Sequence, residues 1–109
     1  MVLEIAHVEV LAGHEADFEA DLLQAASTVL PQAAGFIEFT AHGFGVERPS
    51  VYLFTIRWET LGDHIDGFRG GDLFAQWRAL IGPHFASAPV VEHFAVGERG
   101  KTAALLAGN

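Results

Sequence analysis

Histidine is the side chain whose ordinary pKa suits accepting and releasing a proton near neutral pH, and this chain carries six of them. His64 stands three residues after Leu61 and four before Phe68, a spacing that sets it on an apolar helix face. It is therefore the candidate general base; the alternative is a core histidine bonded to a backbone carbonyl. Alternation puts His93 in phase with Val91 and Ala95, and His7 in phase with Leu3, Ile5 and Leu11. On neighbouring strands, His7 and His93 form a pair able to bind an anion or position a substrate, or else serve a dimer seam. Trp58 and Trp77 are candidates to sandwich an aromatic ring, against the commoner use of such side chains as core. Arg78 and Arg69 are candidates to hold a phenolate or carboxylate, in competition with surface pairing to Asp63, Asp66 or Asp72. Tyr52 and His42, on neighbouring strands, are candidates to line a cavity, whereas His14 and His84 fall at element ends and read as structural.

Other chemistries find less support. No HxH, HxxxH or HExxH spacing occurs, so no zinc or iron site is expected. Cysteine is absent, no serine stands in a G-x-S-x-G context, and no phosphate-cradling glycine loop is present.

Elements to position these residues follow from periodicity. Val2 to Leu11 reads as a first strand, and Phe18, Leu22, Ala25 and Val29 form the apolar stripe of a helix from Glu15 to Leu30, stopped by Pro31. Phe36–Phe44 and Val51–Trp58 read as a hairpin turned through Glu47-Arg48-Pro49-Ser50. Thr60 and Asp63 resemble a capping box that starts a helical stripe of Leu61, Ile65 and Phe68, interrupted at Gly70-Gly71. Asp72 then caps a further segment with Leu73, Phe74, Trp77, Leu80 and Ile81 on one face, ended by Gly82-Pro83, and Val90 to Val96 is a last strand.

The order β-α-β-β-α-β predicts an α+β, ferredoxin-like domain: a four-stranded antiparallel sheet with two helices on one face. Its third strand is apolar on both sides, Tyr52, Phe54, Ile56 and Trp58 against Val51, Leu53 and Thr55, so a second copy's sheet is expected to cover the other face. The domain is expected over residues 1–96, with a tail, 97–109, whose weakly apolar end is available to pack on the partner.

Composition agrees. At 109 residues the chain accommodates one core. A net charge of -8 with no basic cluster argues against a nucleic-acid partner. No apolar run approaches the ~20 residues of a membrane span, and the lack of cysteine and of a signal sequence points to a soluble, cytoplasmic protein.

The stretch from Val51 to Phe94 resembles the antibiotic biosynthesis monooxygenase family: Trp58-Glu59-Thr60-Leu61, His64, Phe68-Arg69, Leu73-Phe74, Trp77-Arg78-Ala79-Leu80 and Val91-Glu92-His93-Phe94 carry it, and Gly35-Phe36 extends it toward the first strand. The resemblance implies a homodimeric α/β barrel that oxygenates a small aromatic phenol or hydroquinone to a quinone with dioxygen, without flavin, metal or haem. His64 would then be the base, with Trp58, Trp77, Tyr52, Arg78, His93 and His7 around the substrate. A related branch degrades haem through an Asn on the first strand, a Trp on the second helix and a ligating His; here the first strand carries His7, and the other two positions fall near Gly67 and Arg78. The same fold also serves non-catalytic ligand binding or dimerisation.

Overall fold

The computed structural model describes residues 1–97. The expected tail thus lies, beyond Gly97, outside the described residues. Four strands, β1 (Val2–Glu9), β2 (Phe36–Phe44), β3 (Val51–Trp58) and β4 (Val90–Ala95), form one sheet in the order β2-β3-β1-β4, with every neighbouring pair antiparallel. Two helices, α1 (Glu15–Thr28) and α2 (Asp72–Ile81), connect them, as the ferredoxin-like reading expects.

Alternation along β1 and β3 sorts side chains onto two faces. Ala6 and Val8 from β1 and Tyr52, Phe54, Ile56 and Trp58 from β3 are buried beneath the helices. Helix α1 closes that face with Phe18, Leu22 and Ala25, and α2 with Trp77 and Ile81. Phe18 meets the Tyr52 ring edge-on at 5.3 Å and Trp77 meets Phe54 at 5.9 Å. The opposite face bears Leu3, Ile5, His7 and Leu53, half-buried, with Val90 and Phe94 exposed.

Between β3 and α2 the chain departs from the expected stripe. Thr60 and Asp63 do make a reciprocal box: Asp63 Oδ2 accepts from the Thr60 amide at 3.2 Å, and Thr60 Oγ1 accepts from the Asp63 amide at 3.1 Å. The following turn, Asp63–Phe68, is a π-helix, in which the Arg69 amide donates to the His64 carbonyl at 2.9 Å. Its wider winding keeps His64 and Phe68 inward but rotates Leu61 out, leaving it 48% exposed, so Leu61 does not share their face.

At the far end of the sheet, residues 84–86 fold back along 9–11. The Leu11 amide donates to the His84 carbonyl and the Ala86 amide to the Glu9 carbonyl. His84 joins this corner to α1, its Nε2 2.7 Å from Asp21 Oδ2 and its Nδ1 3.0 Å from His14 Nδ1.

Gly35, just before β2, adopts φ +81°, and a Cβ there would overlap the Asp63 side chain. Gly35→Ala is therefore expected to disturb the capping box, and with it the π turn, costing about 1–3 kcal/mol of stability. Chemical denaturation checks this; an unchanged midpoint would show that Asp63 yields freely.

Candidate functional site

A cavity of about 560 Å³ lies between the sheet and α2. Its floor is Glu4, Ala6 and Val8 of β1, Phe54 and Ile56 of β3, and Val91 of β4; the π turn adds His64, Phe68 and Arg69. Helix α2 adds Phe74, Trp77, Arg78 and Ile81, and Phe85 with Ser87, Ala88 and Pro89 closes the remaining side. The volume suits a small molecule, and the lining is mostly apolar with a few convergent polar groups.

Those groups are organised around a carboxyl the sequence reading did not single out. Glu4 is in phase with Ala6 and Val8, so its side chain points into the apolar layer and is only 5% exposed. Its Oε1 accepts from Trp58 Nε1–H at 2.9 Å and lies 3.3 Å from His64 Nε2. His64 is 3% exposed and stacked on Trp58, the ring centroids 5.2 Å apart and the planes 11° from parallel. Its other nitrogen, Nδ1, lies 2.7 Å from His93 Nε2. With Oε1 already accepting from Trp58, the tautomers that satisfy these contacts have His93 Nε2–H donating to His64 Nδ1, and His64 Nε2–H donating toward Glu4. Glu4 Oε2 has no protein partner among the described residues.

Burial sets the protonation of this chain. Desolvation pushes the Glu4 carboxyl up from 4.5 to about 7, against the lowering effect of the Trp58 hydrogen bond and the Arg69 charge. Desolvation also pushes His64 down from 6.5 to about 4, assisted by His93 and Arg69. His93 is lowered by burial and then by Arg69. The buried pair thus carries its proton on the carboxyl rather than on the imidazole, and near pH 7 the carboxyl is half ionised.

The remaining sequence candidates divide. Trp77, Arg78 and Arg69 line the cavity, while Trp58 and His93 stand behind its wall, holding Glu4 and His64. Tyr52 is not at the cavity; it packs on Phe18 and Phe44, and burial with the neighbouring Glu19 pushes its hydroxyl up to about 12. The expected pairing of His7 with His93 does not occur. Although β1 and β4 are adjacent, the register sets His93 opposite Glu4 and His7 opposite Val90, which places the two imidazoles on opposite faces of the sheet. His7 instead borders a shallow depression with His42 and Arg48, where His42 Nε2 lies 3.0 Å from Thr55 Oγ1.

Among the described residues, no group of three or more His, Cys, Asp or Glu side chains is placed to hold a metal ion, and no helix is long and apolar enough to cross a membrane.

The sequence profile of the antibiotic biosynthesis monooxygenases matches residues 1–80, and the chain belongs to that family. It is 36% identical over 96 residues to the uncharacterized Bacillus subtilis (strain 168) protein YczJ, covering 86% of this chain and 97% of that one. A crystal structure of a Bordetella bronchiseptica protein assigned to the same family superposes with a TM-score of 0.81 at 37% identity, covering 86% of this chain and 94% of that one. SnoaB from Streptomyces nogalater, described as a cofactor-independent oxygenase, shares the fold with a TM-score of 0.70 at 15% identity over 87% of this chain and 91% of its own.

The two pKa shifts act oppositely on stability. Glu4, whose folded pKa is raised, contributes stability that is complete below 4.5 and lost as pH rises to about 7. His64, whose folded pKa is lowered, contributes stability that is complete above 6.5 and lost as pH falls to about 4. Between 4.5 and 6.5 the two cancel. Glu4→Gln keeps an acceptor for Trp58 but leaves the His64 effect alone, so its unfolding free energy in urea should fall from pH 6.5 to 4.5 relative to wild type, by on the order of 2 kcal/mol. Parallel profiles for the two proteins would contradict the placement of the proton on Glu4.

Proposed function

We propose that this protein is a cofactor-independent monooxygenase that oxidises an aromatic phenol or hydroquinone to a quinone with dioxygen. The observation that carries this reading is the Glu4–His64 pair in the wall of an apolar cavity, with a carboxyl near pKa 7 and a free oxygen. A base poised at neutral pH beside a water-poor pocket is what phenol deprotonation requires.

In this reading the substrate ring packs among Trp77, Phe54 and Phe68, and its hydroxyl gives its proton to Glu4 Oε2. His64 keeps the carboxyl oriented and shares the charge change, and His93 fixes the His64 tautomer. A C–O bond then forms between the electron-rich ring carbon and dioxygen, and the O–O bond breaks. One oxygen becomes the second quinone carbonyl, and the other leaves as water with the ring hydrogen and the phenolic proton. Phenol and dioxygen thus give quinone and water, the substrate supplying every electron. A hydroquinone reacts in the same way at a free ring carbon, giving a hydroxyquinone and water. SnoaB, described as a cofactor-independent oxygenase, offers a precedent on the same fold.

The active form in this reading is a homodimer, a dimeric α/β barrel. The open sheet face, with Leu3, Ile5, Leu53 and the exposed Val90 and Phe94, offers apolar surface for a second copy to cover.

Oxygen uptake by chelator-treated protein against a panel of phenols and hydroquinones, corrected for autoxidation, tests the proposal. Uptake should match quinone formation and rise with pH through about 7 as Glu4 ionises. Glu4→Gln and His64→Ala should each lower it by roughly 10²- to 10⁴-fold while the chain stays folded. Full activity in both variants would remove the pair from the mechanism. The absence of uptake above background would favour a ligand-binding protein on this fold.

A further inference from the structure

The cavity has a charge pattern unlike that of the rest of the molecule. The chain carries fourteen Asp and Glu against six Lys and Arg, yet two arginines from different elements, Arg69 at the end of the π turn and Arg78 on α2, line this one cavity. Neither is neutralised: among the described residues no carboxylate pairs with Arg69 or Arg78, although Asp63, Asp66 and Asp72 stand nearby in sequence. Arg78 instead rests on the Phe74 ring, 5.9 Å from its centroid, which holds the guanidinium over the apolar lining. Arg57, by contrast, is paired with Glu38 at 3.2 Å on the other face of the sheet. Among the described residues, the one acid in the cavity lining is Glu4, in the wall beside His64. Both arginines are exposed at the cavity margin, whereas Glu4 and His64 are buried. The cavity lining therefore combines a buried proton acceptor, aromatic walls and two unpaired cations.

From this arrangement we infer that the ligand is an aromatic acid: a hydroxylated ring that carries a carboxylate, seated with its hydroxyl toward Glu4 and its carboxylate toward Arg69 and Arg78. The inference rests on the proposed orientation of a phenolic substrate and narrows its class. A guanidinium matches a carboxylate through paired hydrogen bonds, and a hydrogen bond to a charged group contributes more than a neutral one. An acidic protein also repels free carboxylates from its general surface, so a local cationic margin is needed for such a ligand to enter.

Binding, measured separately from turnover, tests this. Equilibrium dissociation constants for a hydroxynaphthoate, with its two substituents at opposite ends of the fused rings, and for its methyl ester are compared on the whole protein by calorimetry. The acid should bind roughly ten- to a hundredfold more tightly than the ester. Added salt should narrow the gap. Arg69→Gln combined with Arg78→Gln should bring the two ligands within about twofold while leaving ester affinity nearly unchanged. Equal binding of acid and ester by the wild-type protein, or an undiminished preference in the double variant, would overturn the inference. Oxygen uptake with both ligands keeps the two claims apart: acid preference without uptake upholds the ligand class and removes the oxygenase reading, and uptake with the ester at equal affinity does the reverse.

Discussion

A carboxyl group buried in an apolar sheet face is the constraint around which the rest of this molecule is arranged. Glu4 sits where Ala6 and Val8 would otherwise continue an unbroken hydrophobic row, and an ionised carboxylate there loses its hydration without being sealed into a full set of hydrogen bonds. Three features ease that cost: the Trp58 N–H, the His64 ring and the field of Arg69. They do not cancel it, since desolvation still outweighs them and the carboxyl holds its proton to about pH 7. A site dedicated only to stability would more simply carry a hydrophobic residue at this position.

The positions of neighbouring elements follow from supplying those partners. Trp58 closes β3 diagonally across from Glu4, close enough to donate. His64 must approach from the opposite side, and the π turn delivers it: the wider winding brings His64, Phe68 and Arg69 to the cavity from a segment of only six residues and the one that follows it. Gly35 makes room for the Asp63 side chain that starts this turn. On the far side, the His14–His84–Asp21 contacts and the short pairing of 84–86 with 9–11 brace the corner from which Phe85 reaches the cavity.

The strands, both helices and the layer arrangement were legible because their signals are local and repetitive. Phe18, Leu22 and Ala25 keep one helical face, and Tyr52 through Trp58 keep one strand face, whatever the tertiary context. His64 was legible for the same reason, since a titratable residue in an apolar stripe stands out. Glu4 was readable in principle by that rule, being in phase with Ala6, Val8 and Val10, but the interspersed His7 and Glu9 masked the alternation. The His7–His93 pairing failed because strand adjacency says nothing about register, and a one-residue offset sends a side chain to the other face. Leu61 failed because an α-helical period was applied to a turn that is not α-helical. The contribution of Trp58 lies in its indole N–H rather than in its ring face, a distinction that depends on where Glu4 ends up and so belongs to tertiary structure.

His93 lies on β4, an edge strand of the sheet, and is only partly covered, while Glu4 at the other end of the same hydrogen-bonded chain is sealed beneath the helices. The line from Glu4 through His64 to His93 therefore leads along the cavity wall from the interior to the rim of the sheet. The buried carboxyl and the edge of the sheet thus belong to one polar thread, so the interior site is anchored at the margin of the domain.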